Sequence, residues 1–342
     1  MKSLIPKILL ENGYEPFDWD IEELYSAGRK NLQMNIEFYW DKDYPCKSVI
    51  NSLFIEGITQ YINRKGKSKT ELLIEEKTKQ ITEEKEKIKE KSKEILQSIE
   101  YGSNLQKSIL PSRTSIDNIL NKHFIMFRPK DIIGGDFYWF DTYDSYIYFA
   151  VADCTGHGVP GGMVSLIGVT ALNKSLKELK LVETNQILDS SRNLIIETFN
   201  KNGQNINDGM DIIICRWDPE KRILQYSGAN RPLWILRESN GLIEEFKTDR
   251  FPVGKFFDMK SFTSWSIELF NNDILFLFSD GLVDQFGDSE RGKFKTSRLR
   301  NLILKNRDYH YSLQGQYIET ELLNWKGSNE QTDDITLWLI QL

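Results

Sequence analysis

Two kinds of hydrophobic spacing divide the chain. Over residues 65–100, "KGKSKTELLIEEKTKQITEEKEKIKEKSKEILQSIE", Ile74, Ile81, Ile88 and Ile95 recur every seven residues in a background of Lys and Glu. A strict heptad marks a helix that meets another helix along one seam. With the isoleucines at d, the a positions are Thr78, Lys85, Ser92 and Ile99, so half of the seam is polar. The pattern predicts a weak parallel coiled coil joining two copies of the chain, with a stability low enough for a switchable linker. The bland alternative is a solvated helix held by Glu–Lys pairs worth about 0.2–0.5 kcal/mol each. It gives isoleucines no reason to recur at seven.

From about residue 108 the pattern changes to short apolar runs. "HFIMFRP", "SYIYFAVAD", "MDIIICRWD", "ILQYSGA", "PLWILRE", "FTSWSIELF", "DILFLFSD" and "DDITLWLIQL" read as strands. "GGMVSLIGVTALNKSLKELK", "NQILDSSRNLIIETFNK" and, more weakly, "SRLRNLILKN" and "QYIETELLNWK" have helical spacing. Two helices sit together in the middle, with strands before and after. That order is wrong for a doubly wound parallel sheet, in which strands and helices alternate, and fits an α+β domain of antiparallel sheets covered by helices. Ahead of the linker, residues 1–64 mix helical pieces ("DIEELYSAGRK", "KSVINSLFIEGITQYINRK") with an aromatic segment, "NIEFYWDKDYPC". The expected organisation is an accessory or sensory segment (1–64), a helical linker (65–107) and a main domain (108–342).

Composition narrows the function. The 342 residues carry a formal charge of -6, which argues against a nucleic-acid binder with a basic face. Three widely spaced cysteines, Cys46, Cys154 and Cys215, make neither a disulfide framework nor a zinc knuckle. No apolar run approaches the roughly 18 residues of a membrane helix, and the start turns polar too soon for a secretory signal. A cytoplasmic protein without membrane insertion is expected.

The chemistry lies in aspartates at strand ends. Asp136 follows the double glycine of "IIGGDFYWF", Asp153 ends "YIYFAVAD", Asp280 ends "ILFLFSD" before Gly281, and Asp333 opens "DDITLWLIQL". Each alone is an ordinary turn residue. Gathered, the carboxylates would repel and their pKa values would rise. Hard divalent cations remove that conflict, and two of them make a nucleophile from water and clamp a phosphoryl group.

The set "IIGGDFYWF", "VADCTGHGVPGGMVSLIG", "DGMDIIICRWD", "LQYSGANRPLWIL", "LFLFSDGLVDQFG" and "QTDDITLWLI" resembles the bacterial SpoIIE-like branch of the PPM metal-dependent serine/threonine phosphatases. "SIEYGSNLQKSILPS" resembles the helix often found just upstream of that domain. The resemblance implies a PPM-type sandwich of two antiparallel sheets flanked by helix pairs, with two Mn²⁺ or Mg²⁺ ions at one end. It places Asp136 on one metal, Asp153 between both, the Cys154 carbonyl beside it, and Asp280 and Asp333 on the other. Asp334 stands behind the ligands; Ser279 and Gly281 shape a turn; Gly228 and Asn230 match a turn near the site. Asp211 departs from relatives that carry an aromatic there. The implied substrate is a phosphorylated regulatory protein, such as an anti-sigma-factor antagonist in bacterial partner switching. A non-catalytic interaction module of the same fold is the alternative, although the aspartates are intact.

Other chemistry is weaker. Gly134-Gly135-Asp136-Phe137 lacks the glutamate of the cyclic-dinucleotide cyclase turn. Cys154 has no following Arg for a thiol phosphatase cradle, and Ser279 lacks the Gly-x-Ser-x-Gly elbow. His157, between glycines, is expected to shape its turn ahead of serving as a general acid. Arg128 and Lys130 read as strand-flank charges ahead of phosphate grips. Phe137, Tyr138, Trp139 and Met210 read as sheet packing.

Overall fold

The computed structural model describes residues 2–11, 14, 20–39, 47–65, 69–201, 206–288 and 292–342. The aromatic segment enters a helix up to Tyr39; residues 40–46, Cys46 among them, lie outside the described set. The chain forms two compact units, Met1–Glu94 and Ile95–Leu342.

In the first unit, α1 (Ile5–Glu11), α2 (Ile21–Tyr39) and α3 (Lys47–Lys65) bury Ile5, Leu9, Leu24, Phe54, Ile58 and Ile62 among themselves. Gly28 lets α2 and α3 approach: a Cβ there would lie 2.7 Å from the Phe54 ring. The heptad segment lies in one helix, α4 (Lys69–Ile109). Its seam isoleucines Ile74, Ile81, Ile88 and Ile95 are 60–66% exposed within the single chain. No helix among the described residues is long and apolar enough to cross a membrane.

The second unit continues with α5 (Arg113–Asp117), β1 (His123–Arg128), β2 (Phe137–Tyr143), β3 (Tyr146–Cys154), α6 (Gly158–Asn173), α7 (Thr184–Asn200), β4 (Met210–Asp218), β5 (Ile223–Ala229), β6 (Leu233–Leu236), β7 (Ile243–Phe246), β8 (Trp265–Glu268), β9 (Ile274–Phe278), α8 (Gly281–Asp284), α9 (Thr296–Lys305), α10 (Tyr311–Lys326) and β10 (Ile335–Gln341). The strands make two five-stranded sheets, ordered β1-β10-β9-β6-β7 and β2-β3-β4-β5-β8, with antiparallel neighbours throughout. The expected sandwich of two antiparallel sheets with helices is the observed architecture. All eight expected strands are present. β2 and β7 were not foreseen: the aromatic run of β2 hid behind its glycine turn, and β7 is four residues long with two glutamates.

The unbroken apolar runs arise because each central strand is buried on both faces. Along β4, Ile212 and Ile214 face the layer of α6 and α7, while Ile213 and Cys215 face the opposing sheet. Along β9, Leu275 and Leu277 point between the sheets, while Ile274, Phe276 and Phe278 pack toward α9 and α10. Alternation by two then sends apolar side chains to two different cores.

Trp338 of β10 anchors the layer between the sheets. It is fully buried, with its ring centroid 5.9 Å from Phe149 and 6.0 Å from Tyr138 on the facing sheet. Truncating Trp338→Ala is expected to cost about 3–5 kcal/mol, the range for emptying a large aromatic site. The shift of the urea unfolding midpoint measures it.

Candidate active site

The candidate residues come to one end of the sandwich through strand register. Phe137 pairs with Ala152, so Asp136, one position earlier, lies alongside Asp153; Asp153 in turn pairs with Asp211 of β4. Three carboxylates therefore stand in a row across adjacent strands. On the other sheet, Phe278 pairs with Leu337, which puts Asp280, just past β9, and Asp333, just before β10, at the matching end. Asp153, Asp211, Asp280 and Asp333 line a cleft of about 290 Å³ with Cys154, His157, Met210 and Arg231. Asp136 is almost wholly buried behind it.

Hydrogen bonds tie the two sheets together at this end. The Thr336 hydroxyl of β10 donates to Asp136 Oδ2 at 2.8 Å, across from one sheet to the other. Thr336 is held in turn by Ser279, whose Oγ accepts its backbone N–H at 2.9 Å. Asp334 lies outside the cleft lining and pins the glycine loop: its carboxylate accepts from Lys130 N at 2.7 Å and from Gly135 N at 2.6 Å. Glycine is required at 281, where a Cβ would fall 2.0 Å from the Asp334 carbonyl. The end of α4 reaches the same loop. Gln106 Nε2 donates to the Gly134 carbonyl at 2.6 Å and to Ser165 Oγ of α6 at 2.9 Å, and Ser103 Oγ donates to the Ile132 carbonyl at 2.8 Å.

The electrostatics are those of crowded acids. Burial, then repulsion between neighbouring carboxylates, raises Asp153, with Arg231 opposing; burial also raises Asp136 against the hydroxyls of Ser279 and Thr336. Asp211 and Asp333 are raised as well, burial leading in each. A carboxylate that loses solvent and gains like-charged neighbours resists ionising until a cation arrives.

One cation of the chain's own stands among them. A single nitrogen of Arg231, Nη2, is 2.5 Å from Asp153 Oδ2, 2.8 Å from Asp280 Oδ2 and 3.5 Å from Asp211 Oδ2. In this arrangement no three acidic, His or Cys side chains among the described residues close on a point that would hold an ion. The donor set fits a hard cation in type, since it is all oxygen from carboxylates and a backbone carbonyl, and in charge, since five carboxylates line or back the cleft around one guanidinium. Asp136, Asp153, Asp280, Asp333 and the Cys154 carbonyl are the groups available to hold such ions.

The remaining sequence candidates sort by geometry. Asp211 accepts from Asn230 Nδ2 at 2.8 Å, and Asn230 itself adopts a positive φ of 56°. His157 lies on the cleft rim with Nδ1 2.8 Å from Asp131 Oδ2 and Nε2 3.1 Å from Lys130 Nζ. It therefore bonds side chains on the rim. Arg128 is taken up by Glu319 at 2.6 Å. The Cys154 thiol is buried, which pushes its pKa well up and makes it a poor nucleophile. Phe137, Trp139 and Met210 belong to the core beneath α6 and α7, and Tyr138 to the layer between the sheets, as packing residues. Arg231, Thr336 and Gln106 were missed. Arg231 sits inside "LQYSGANRPLWIL" with no acid beside it in sequence, so it, Thr336 and Gln106 gave no signal without knowing which sheets and helices meet.

Known proteins bear on this geometry. Residues 143–342, more than half of the chain, match the family model described as Stage II sporulation protein E (SpoIIE); Asp136 lies just upstream of the match. No curated protein matches. Among solved structures, the SiaA-PP2C domain of Pseudomonas aeruginosa is similar at 25% identity and a TM-score of 0.66, covering 73% of this chain and 98% of that one. The PP2C phosphatase domain of SpoIIE from Bacillus subtilis, with a fragment of its regulatory domain, shares the fold at 15% identity and a TM-score of 0.53, covering 65% and 63%. The RsbU and RsbW domains of a Mycobacterium tuberculosis protein share it at 18% and 0.52, covering 64% and 59%. The chain thus belongs to the SpoIIE family, on the fold of the PPM-type serine/threonine phosphatases.

Proposed function

We propose that this protein is a metal-dependent phosphatase acting on phosphoserine or phosphothreonine in a regulatory protein. The observation that carries the reading is the gathering of Asp136, Asp153, Asp211, Asp280 and Asp333 at one end of two sheets, where Arg231 reaches three of them, Asp153, Asp211 and Asp280, at ion-pair distance. That crowding of carboxylates calls for divalent cations, and Asp136, Asp153, Asp280, Asp333 and the Cys154 carbonyl would hold two Mn²⁺ or Mg²⁺ ions. When bound, such ions supply Lewis acidity: they lower the pKa of a water and offset the charge of a phosphoryl group.

The chain's own residues position the acids and shape access. Thr336 and Ser279 hold Asp136, and Asp334 holds the loop that presents it. The cleft is open, as a phosphorylated side chain on a protein surface requires. Membership of this family supports a small phosphorylated regulator, such as an anti-sigma-factor antagonist in a partner-switching circuit, as the substrate. The exposed isoleucine seam of α4 supports assembly as a homodimer through that helix. The contacts of Gln106 and Ser103 with the glycine loop and α6 support the same helix as the route by which an upstream signal reaches the site.

A second reading, a non-catalytic interaction module, draws on the guanidinium among the acids. The two readings separate on phosphate release from a phosphoserine or phosphothreonine peptide with Mn²⁺. Asp280→Asn is expected to lower the rate on the order of 10²-fold or more, since loss of even a supporting group at such centres costs 10–100-fold; equal release from both proteins would leave the non-catalytic module standing. For the seam, the double substitution Ile81→Glu with Ile88→Glu is expected to halve the mass found by light scattering.

A further inference from the structure

Arg231 is used in an unusual way. An arginine that pairs with carboxylates ordinarily spreads its planar fork, two N–H groups to two oxygens of one acid. Here Nη2 alone meets oxygens of three different aspartates, at 2.5, 2.8 and 3.5 Å, while Nε is buried with no partner. Three acids converge on one nitrogen, so the guanidinium serves there as a point charge in a place that does not suit its planar shape. Burial works against the charged form, yet Asp153, Asp280 and Asp211 outweigh it and raise the Arg231 pKa further. The backbone beneath is fixed independently: the Arg231 carbonyl accepts from Thr248 Oγ1 at 3.0 Å, and Asn230 N donates to Asp249 O at 2.8 Å. A move of Arg231 is therefore a side-chain swing into the open cleft it already lines.

We infer that Arg231 is a built-in competitor for the divalent cations: its guanidinium neutralises Asp153, Asp280 and Asp211 in the metal-free protein and must swing out before ions bind. The inference rests on the metal-dependent reading above. Two consequences follow. The metal-free protein is spared the repulsion of bare carboxylates. Metal affinity is lowered in proportion to the fraction of molecules with Arg231 swung out, as for any site whose competent state is only partly populated. A doubly charged ion prevails over a singly charged one at a point ringed by acids, so the competition tunes affinity without abolishing it. Whatever shifts the arginine then controls loading of the site.

The test is calorimetric titration of Mn²⁺ into the full chain, together with thermal melts in Mn²⁺ and in chelator. Arg231→Gln removes the charge, and Arg231→Met, kept in case the first does not fold, removes it while keeping a long unbranched stem. Both variants are expected to bind Mn²⁺ at least tenfold more tightly than wild type, and Arg231→Gln to melt at a lower temperature than wild type in chelator but not in Mn²⁺. Binding by the variants where wild type shows none supports the competition equally. Unchanged or weaker affinity in the folded variants, with saturable binding by wild type, overturns the competition and leaves the metal reading intact. Absence of saturable binding in all three proteins overturns both.

Discussion

Carboxylates drawn together at the end of a sandwich repel one another, and the second unit of this protein is built to hold them there anyway. Asp136, Asp153 and Asp211 stand in a row because three antiparallel strands are in register; Asp280 and Asp333 face them from the other sheet. Like charges that lose water are costly, so the folded chain must offset them. It does so in part with the hydroxyls of Thr336 and Ser279 and with one guanidinium. The fold also needs the layer between the sheets, because only a rigid packing of Trp338, Phe149 and their neighbours holds two sets of strand ends against that repulsion.

The same logic separates residues that meet the cleft from those that hold its walls. Asp334 carries a carboxylate next to Asp333, yet it turns away to accept two backbone N–H groups of the loop bearing Asp136. Adjacent residues at the start of a strand point to opposite sides, so a pair of aspartates divides into one for the cleft and one for the scaffold. Gln106 does for the loop carbonyl what Asp334 does for its N–H groups, from a helix that runs back to Lys69. Loop, helix α6 and linker end are thereby joined by a few short hydrogen bonds.

Much of this is legible in the sequence. The apolar runs of β3, β4, β9 and β10 announced doubly buried strands, and their order excluded a doubly wound sheet. The heptad announced one long helix. Asp153, Asp280 and Asp333 stood out because each ended or began such a run, and Asp136 because it follows a double glycine. Less visible were β2, masked by aromatics next to a glycine turn, and β7, whose "IEEF" looks like surface. Arg231 gave no signal, because an arginine after a turn is ordinary until three acids are seen to face it.

The division has a physical cause. Periodicity and turn chemistry are local, so the one-dimensional chain by itself determined which segments are helix or strand, which faces are apolar, and which residue types carry hard oxygen donors. Who meets whom depends on pairing between strands distant in sequence and on the angle at which two sheets pack. Tertiary structure alone therefore decided that Thr336 reaches Asp136 across the sandwich, that Asp334 serves the loop while Asp333 lines the cleft, and that one nitrogen of Arg231 sits among three aspartates. Those contacts span about 20 to 200 residues of chain, and no short-range pattern encodes them.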